Sequence, residues 1–448
     1  MLSAFANSLR IPELRQRIFF TFGLVFICRL IAAVPTPGVD AVALRAFIDQ
    51  LHSMAGGSFV GMFDLFSGGA LQNAAVGALG IMPYISASII IQLMTAVVPT
   101  LERLAREGDS GRQKITQYTR YLTVLLCIVQ GYAMAVTLEN PQAFGVAGKI
   151  VHMEGWGFRL LTIVTMTTGT MLLMWLGEQI TERGIGNGIS LIITIGIVSS
   201  LPSAIQKAIA MFQPVDGVVQ FTVFHAIGLL VMILVVIAGV VAMTQAQRKI
   251  PVQYAKRVVG RKVYGGQSTY MPLRVNYSGV MPIIFAQAIL MFPEKILQMI
   301  PLEFFQRAAI HFRPDSALFN IIFGLTILFF SYFWVATQFN PVQIADDLKK
   351  HGGYVPGIRP GKPTAEFLDR TMTRITLAGA VFLAIIAVFP SIMATNFRVP
   401  WIVAQFFGGT SLLIIVGVML DTMRQIESHL VTRYYDGFLK KGKLRGRR

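Results

Sequence analysis

"LFSGGALQNAAVGALGIMPYISASIIIQLMTAVVPTL", residues 65–101, carries no charged side chain, and its reading decides the fold. As one helix these 37 residues would reach roughly 55 Å at about 1.5 Å per residue, whereas a bilayer core is about 30 Å thick. The run must therefore divide. Its first half holds Gly68, Gly69, Gln72, Asn73, Gly77 and Gly80, residues that weaken a helix or avoid lipid. Its second half reads as a membrane span, expected over about 75–98.

The rest of the chain follows the same logic. Of 448 residues 54% are hydrophobic and only 14% charged, well below the quarter that a soluble domain carries. That composition predicts an all-α polytopic membrane protein. Uncharged runs of spanning length fall at about 18–34, 75–98, 119–138, 159–180, 188–205, 219–244, 278–299, 317–340, 374–393 and 400–423. Ten spans put both termini on one side. The loops on that side hold 28 Lys and Arg against 6 in the opposite loops, which places both termini in the cytoplasm. The first run contains Arg29 and many spans follow it, so it reads as a retained helix and not as a signal peptide.

Five spans precede the 202–218 link and five follow it, and an odd number per half would invert the second copy. The expected organisation is a cytoplasmic segment 1–17, a first half 18–210, a second half 211–424 with cytoplasmic loops 245–277 and 341–372, and a basic tail 425–448.

Several chemistries are excluded. "GIRPGKPT" (357–364) lacks P-loop spacing and places Pro363 where a helix should begin, and "RGIGNGIS" (183–190) follows no strand. Cys28 and Cys127 lie far apart within apolar runs, which indicates neither a disulfide nor a metal, so no metal or other cofactor is expected. No intramembrane carboxylate pair is present, and Glu178, Glu182 and His225 lie near span ends, where snorkelling accounts for them. Arg29 is the single deep charge. Loop 245–277 carries seven basic residues and no acid, which suits orientation, anionic lipid or an anionic docking partner. The pairs Ile81/Ile85 and Ile189/Ile193 each share a helix face, which by itself indicates only lipid contact or core packing.

Longer motifs sharpen this reading: "MFDLFSGGAL" (62–71), "ALGIMPYISASIIIQL" (78–93), "SGRQKITQYTRY" (110–121), "GTMLLMWLGEQITERGIGNGIS" (169–190), "YVPGIRPG" (354–361) and "FGGTSLLI" (407–414). On these the chain resembles the SecY family, the channel-forming subunits of the bacterial Sec protein translocon, from about Leu14 into the tail.

The resemblance implies two inverted, pseudo-symmetric halves around an hourglass pore, closed by a plug half-helix at about 60–74 that includes Phe63, Asp64, Phe66, Ser67, Gly68 and Gly69. It implies a pore ring of Ile81, Ile85, Ile189, Ile193, Ile284 and Ile414, a collar that can dewet against ions yet adapt around a passing chain. A lateral gate would involve Pro83, Ile90, Gln92, Pro282 and Gln287, with the two prolines as hinges or ordinary kinks. Lys249, Lys256, Arg257 and Arg359 match positions that dock the SecA motor or ribosomal RNA.

Further implications are SecE and SecG subunits, secretory and membrane-protein substrates, contact with anionic lipids, a bacterial plasma (inner) membrane location and no enzymatic activity. Asp64 departs from the uncharged residue common at its position, and the outer loops 139–157 and 302–316 match no family motif. The rival reading is a secondary transporter of small solutes with inverted repeats, which the lack of a midplane acid disfavours.

Overall fold

The computed structural model describes residues 11–40, 42–44, 46–48, 67–141, 150–213, 223–254, 257–259, 262–264, 268–299, 316–397 and 399–441, with backbone alone at 223, 257–259, 262–264, 268, 291–299, 408 and 431–441. In chain order its elements are α1 (Pro12–Ala33), α2 (Met82–Val97), α3 (Pro99–Arg106), α4 (Asp109–Glu139), α5 (Trp156–Arg183), α6 (Gly188–Ser199), α7 (Leu201–Ala210) and α8 (Val223–Gln245). Next come β1 (Gln247–Tyr254), β2 (Arg257–Val259), β3 (Lys262–Tyr264), β4 (Ser268–Arg274), α9 (Met281–Met299), α10 (Ala317–Gln338) and α11 (Pro341–Lys350). The chain ends with β5 (Gly353–Tyr354), α12 (Lys362–Asn396), α13 (Trp401–Gly408) and α14 (Thr410–Lys441).

Among the described residues, 8 helical stretches are long and apolar enough to cross a membrane, or up to 9 if α2 and α3 form one bent span. The protein is multi-pass. Two compact units divide it, Met1–Ala210 with Ile414–Arg448, and Met211–Leu413.

In the first unit, α1 begins at Pro12, ahead of the expected 18, because proline at the start of a helix forfeits no hydrogen bond. Arg15 and Arg17 ride on its exposed end while Leu14 and Ile18, one turn apart, pack with Ile185 and Ile426. A larger core joins Leu71, Ala74, Ala78 and Leu79 to Cys127, Ala135, Phe158 and Met166 of α4 and α5.

The second span starts later than the expected 75. Helix α2 begins only at Met82, and Leu71–Gly80 form consecutive turns. Ala74 sits at φ 40 and Gly80 at φ 59, a left-handed backbone that no right-handed helix accommodates. Main-chain groups of the segment find partners outside it: Thr36 N donates to Ala74 O at 2.8 Å and Val76 N donates to Val34 O at 2.8 Å. Non-helical backbone is thus satisfied within protein, the condition for its presence at membrane depth. Helix α5 presses against it so closely that a Cβ on Gly169 would lie 2.1 Å from Val76 O.

In the second unit the basic loop 245–277 is not featureless. Strands β4, β1 and β5 form an antiparallel sheet in that order, with Ile250 opposite Met271, and β2 pairs with β3. Ile250 and Val252 alternate with exposed neighbours, the period of a half-buried strand. Ile250, Leu273 and Val355 pack on Val335 of α10, on Phe339 just beyond its end, and on Leu368, Met372 and Ile375 of α12.

Candidate functional site

Ser67–Ile81 is seated in the first unit. Ser67 and Gly68 are buried, and Gly68 has φ +67. Its carbonyl accepts a 2.6 Å hydrogen bond from Arg29 Nη2 on α1 and lies 3.1 Å from Ser199 Oγ at the end of α6. The Ser199 hydroxyl is also 2.6 Å from Gly196 O, so its one proton serves two acceptors. Within the segment, Leu71 N donates to Ser67 Oγ at 3.3 Å and Asn73 Nδ2 to Gly69 O at 3.4 Å. A cavity of about 20 Å³ lies beside the seat, lined by Cys28, Arg29, Ser67, Ile81, Leu173 and Gly196 among others. That volume suits one water.

The expected ring residues fall on several elements. Ile81 is the buried last turn residue before α2, Ile85 is buried on α2, and α6 carries Ile189, half-buried against Gly177, and Ile193, buried. Ile414 is buried on α14, and in the second unit Ile284 is buried on α9. Of the expected plug residues, Phe63, Asp64 and Phe66 lie outside the described residues; Ser67, Gly68 and Gly69 are in the seat.

The expected gate residues need one correction. Pro83 and Pro282 are each the second residue of their helices, α2 and α9, so neither removes an internal hydrogen bond and neither can hinge there. The pronounced bend is instead the 100° turn between α2 and α3, at Val98–Pro99. Ile90 and Gln92 are exposed on α2. Gln287 is buried on α9, where its Nε2 and that of Gln405 donate to Thr410 Oγ1 at 3.3 and 3.0 Å.

Two of the expected docking cations are on firm supports. Lys249 is exposed on β1, and Arg359 is exposed in the turn between β5 and α12. That turn is braced: Thr364 Oγ1 donates to Arg359 O at 2.8 Å, Ile358 packs on the sheet core, and Gly357 and Gly361 have φ of +82 and +98. Lys256 lies outside the described residues, and Arg257 is described by its backbone in β2.

Sequence reasoning missed Ser199 and the pairing of Arg29 with Gly68. Arg29 stood out as a deep charge, but only the fold brings residue 68 to it, across 39 positions of chain.

These features define a polytopic helical membrane protein that holds a turn-rich segment beside its spans. A SecY family profile matches residues 75–423. The protein translocase subunit SecY of Chlamydia trachomatis is 46% identical over 98% of this chain and 98% of its own. That of Escherichia coli K12 is 44% identical over 97% of this chain and 96% of its own. A solved protein-conducting channel superposes with a TM-score of 0.60 at 17% identity, covering 93% of this chain and 92% of that one. Sec61 in a canine ribosome-channel complex gives 0.55 at 16%, with the same coverage. The chain belongs to the SecY family of protein translocase subunits. It is a protein translocase subunit and not an enzyme.

Proposed function

We propose that this subunit forms the conduit itself, in the plasma membrane of a bacterium, with ten spans in two inverted halves and both termini cytoplasmic. Unfolded secretory chains would pass a collar of Ile81, Ile85, Ile189, Ile193, Ile284 and Ile414, which needs no recognition of sequence. Apolar segments would leave sideways between α2 and α9, past Pro83, Ile90, Gln92, Pro282 and Gln287, sorted by their transfer free energy into lipid.

Residues 60–74 would act as the plug. The observation that carries this reading is the seat: glycine-rich, non-helical backbone buried beside α1, α5 and α6, immediately before a span. A permanent span would use those residues as helix; a segment that must depart profits from few internal hydrogen bonds.

Energy would come from the SecA motor or the ribosome, docked on Lys249, Lys256, Arg257 and Arg359, with SecE and SecG as companion subunits. RNA phosphates would bind these cations in a salt-dependent way, and anionic lipid would attract the same face.

A stalled preprotein tests the path. With Cys28 and Cys127 changed to Ser, and Ile284→Cys as the single cysteine, the complex is reconstituted with SecE and SecA. A preprotein carrying one cysteine and a bulky blocking domain is then added. An ATP-dependent disulfide to position 284 is expected. If the preprotein is demonstrably trapped but crosslinks at none of the six ring positions, the pore assignment fails.

A further inference from the structure

Arg29 is the only charged residue of α1 between Ile18 and Ala33, four residues before the helix ends. A guanidinium within a span is costly unless it is engaged, so its partner indicates what it is for. Nη2 donates to the Gly68 carbonyl at 2.6 Å, a short, charge-assisted hydrogen bond. Ser199, on a different helix, approaches the same oxygen at 3.1 Å.

The backbone is shaped to permit this double grip. Gly68 is left-handed, and a Cβ there would lie 2.4 Å from Arg29 Nη1 and 2.7 Å from Gly196 Cα, so a side chain at 68 would collide with α1 and α6 together. Two elements thus converge on one main-chain oxygen of a segment that is also held by its own turns, by main-chain bonds to Ile31, Val34 and Thr36, and by the packing of Leu71, Ala74, Ala78 and Leu79.

We propose that Arg29 and Ser199 are positioning residues that hold residues 67–69 in their seat and thereby set how readily the channel unseals. This inference rests on reading residues 60–74 as the plug. Losing a hydrogen bond to a charged donor shifts such an equilibrium by roughly tenfold or more, and losing a neutral one by a few-fold. Both side chains bind one oxygen, so their effects are expected to be less than multiplicative.

The complex, assembled with its companion subunits, is reconstituted into vesicles holding a chloride-quenched dye, and chloride leak is recorded without any substrate. Arg29→Met is expected to raise the leak roughly tenfold, Ser199→Ala a few-fold, and the pair less than the product of the two. Arg29→Lys, which keeps the charge but not the guanidinium reach, should fall between parent and Arg29→Met. In a background with Cys28 and Cys127 replaced by Ser, Ser67→Cys should react faster with an impermeant maleimide once Arg29→Met is added. A merely structural role would lower assembly yield without moving the labelling rate of assembled complexes.

Deletion of residues 60–69 is the reference. If the deletion leaks while Arg29→Met seals and labels like the parent, the plug reading stands and the positioning proposal is overturned. If the deletion also stays sealed, the plug reading itself fails. Should Arg29→Met not assemble, Arg29→Lys and Ser199→Ala decide in the same assays, and parent-like leak in both overturns the proposal.

Discussion

Ser67–Ile81 and Met82–Val97 are neighbours in one uncharged run, yet the first is a series of turns and the second is a helix. Apolarity does not separate them; the destination of their hydrogen bonds does. In α2 the amides beyond the first turn find their carbonyls four residues back, so most of the helix is satisfied by itself. The preceding segment closes single turns, as Ala75 N does on Ala70 O, and borrows its other partners from Ile31, Val34, Thr36, Arg29 and Ser199. One stretch has an autonomous structure. The other is a guest in a site built by its hosts.

Three measurements can break or sharpen that contrast. The largest effect is expected for Gly169→Leu in α5, because even a Cβ there would meet Val76 O at 2.1 Å and Val76 C at 2.7 Å, both main-chain atoms. A cost above about 4 kcal/mol is expected, seen as loss of monodisperse complex in detergent. An Ile90→Ala change on the exposed face of α2 should leave the same elution profile within about 0.5 kcal/mol of the parent.

Second comes one substitution made on both sides of the divide. Ala87→Gly in the middle of buried α2 should cost about 2 kcal/mol, from lost helix propensity and a lost buried methyl. Ala74→Gly loses a buried methyl too, but it relieves a left-handed alanine at φ 40, worth about 1 kcal/mol, so its melting temperature should stay close to the parent's. Equal losses at the two positions would refute the strained geometry of residue 74.

The smallest effect belongs to Asp40, in the connection that feeds the seat. Hydrogen bonds from Ala43 N and Val42 N hold its carboxyl below the usual carboxylate range. With the folded value depressed, its contribution is present above the ordinary carboxylate range and is lost as pH falls through the folded value. Asp40→Asn should therefore lower the thermal midpoint slightly near neutral pH and have no effect once the parent carboxyl is protonated. A variant that is equally shifted at both pH values would mean the carboxylate is not the stabilising form.

Much of this was legible in the sequence, and the exceptions have physical causes. Long uncharged runs located the spans because lipid tolerates few charges, but charge marks where a span ends and not where a helix ends. Thus α5 continues to Arg183 and α12 begins at Lys362, both beyond the apolar stretch. Alanine and glycine at 74–80 look apolar enough for a helix, and only the left-handed angles and the borrowed partners exclude one. Pro83 and Pro282 read as hinges or ordinary kinks, and the sequence alone does not reveal that each is the second residue of its helix. The sheet left a faint trace: Ile250 and Val252 alternate with Lys249, Pro251 and Gln253, a period of two that the central proline obscured. Of the site, Arg29 and the isoleucines were visible as residues, whereas the convergence of Arg29 and Ser199 on one carbonyl is a product of tertiary structure.

The acceptor in that convergence is a main-chain oxygen, and every residue possesses one. Apart from the glycine that the backbone angle demands, a changed side chain along 67–73 leaves that acceptor in place. Position 29 has no such freedom, because the bond depends on its guanidinium. The two ends of this single contact are therefore unequal: a substitution can abolish the donor, but only a change of backbone path can abolish the acceptor.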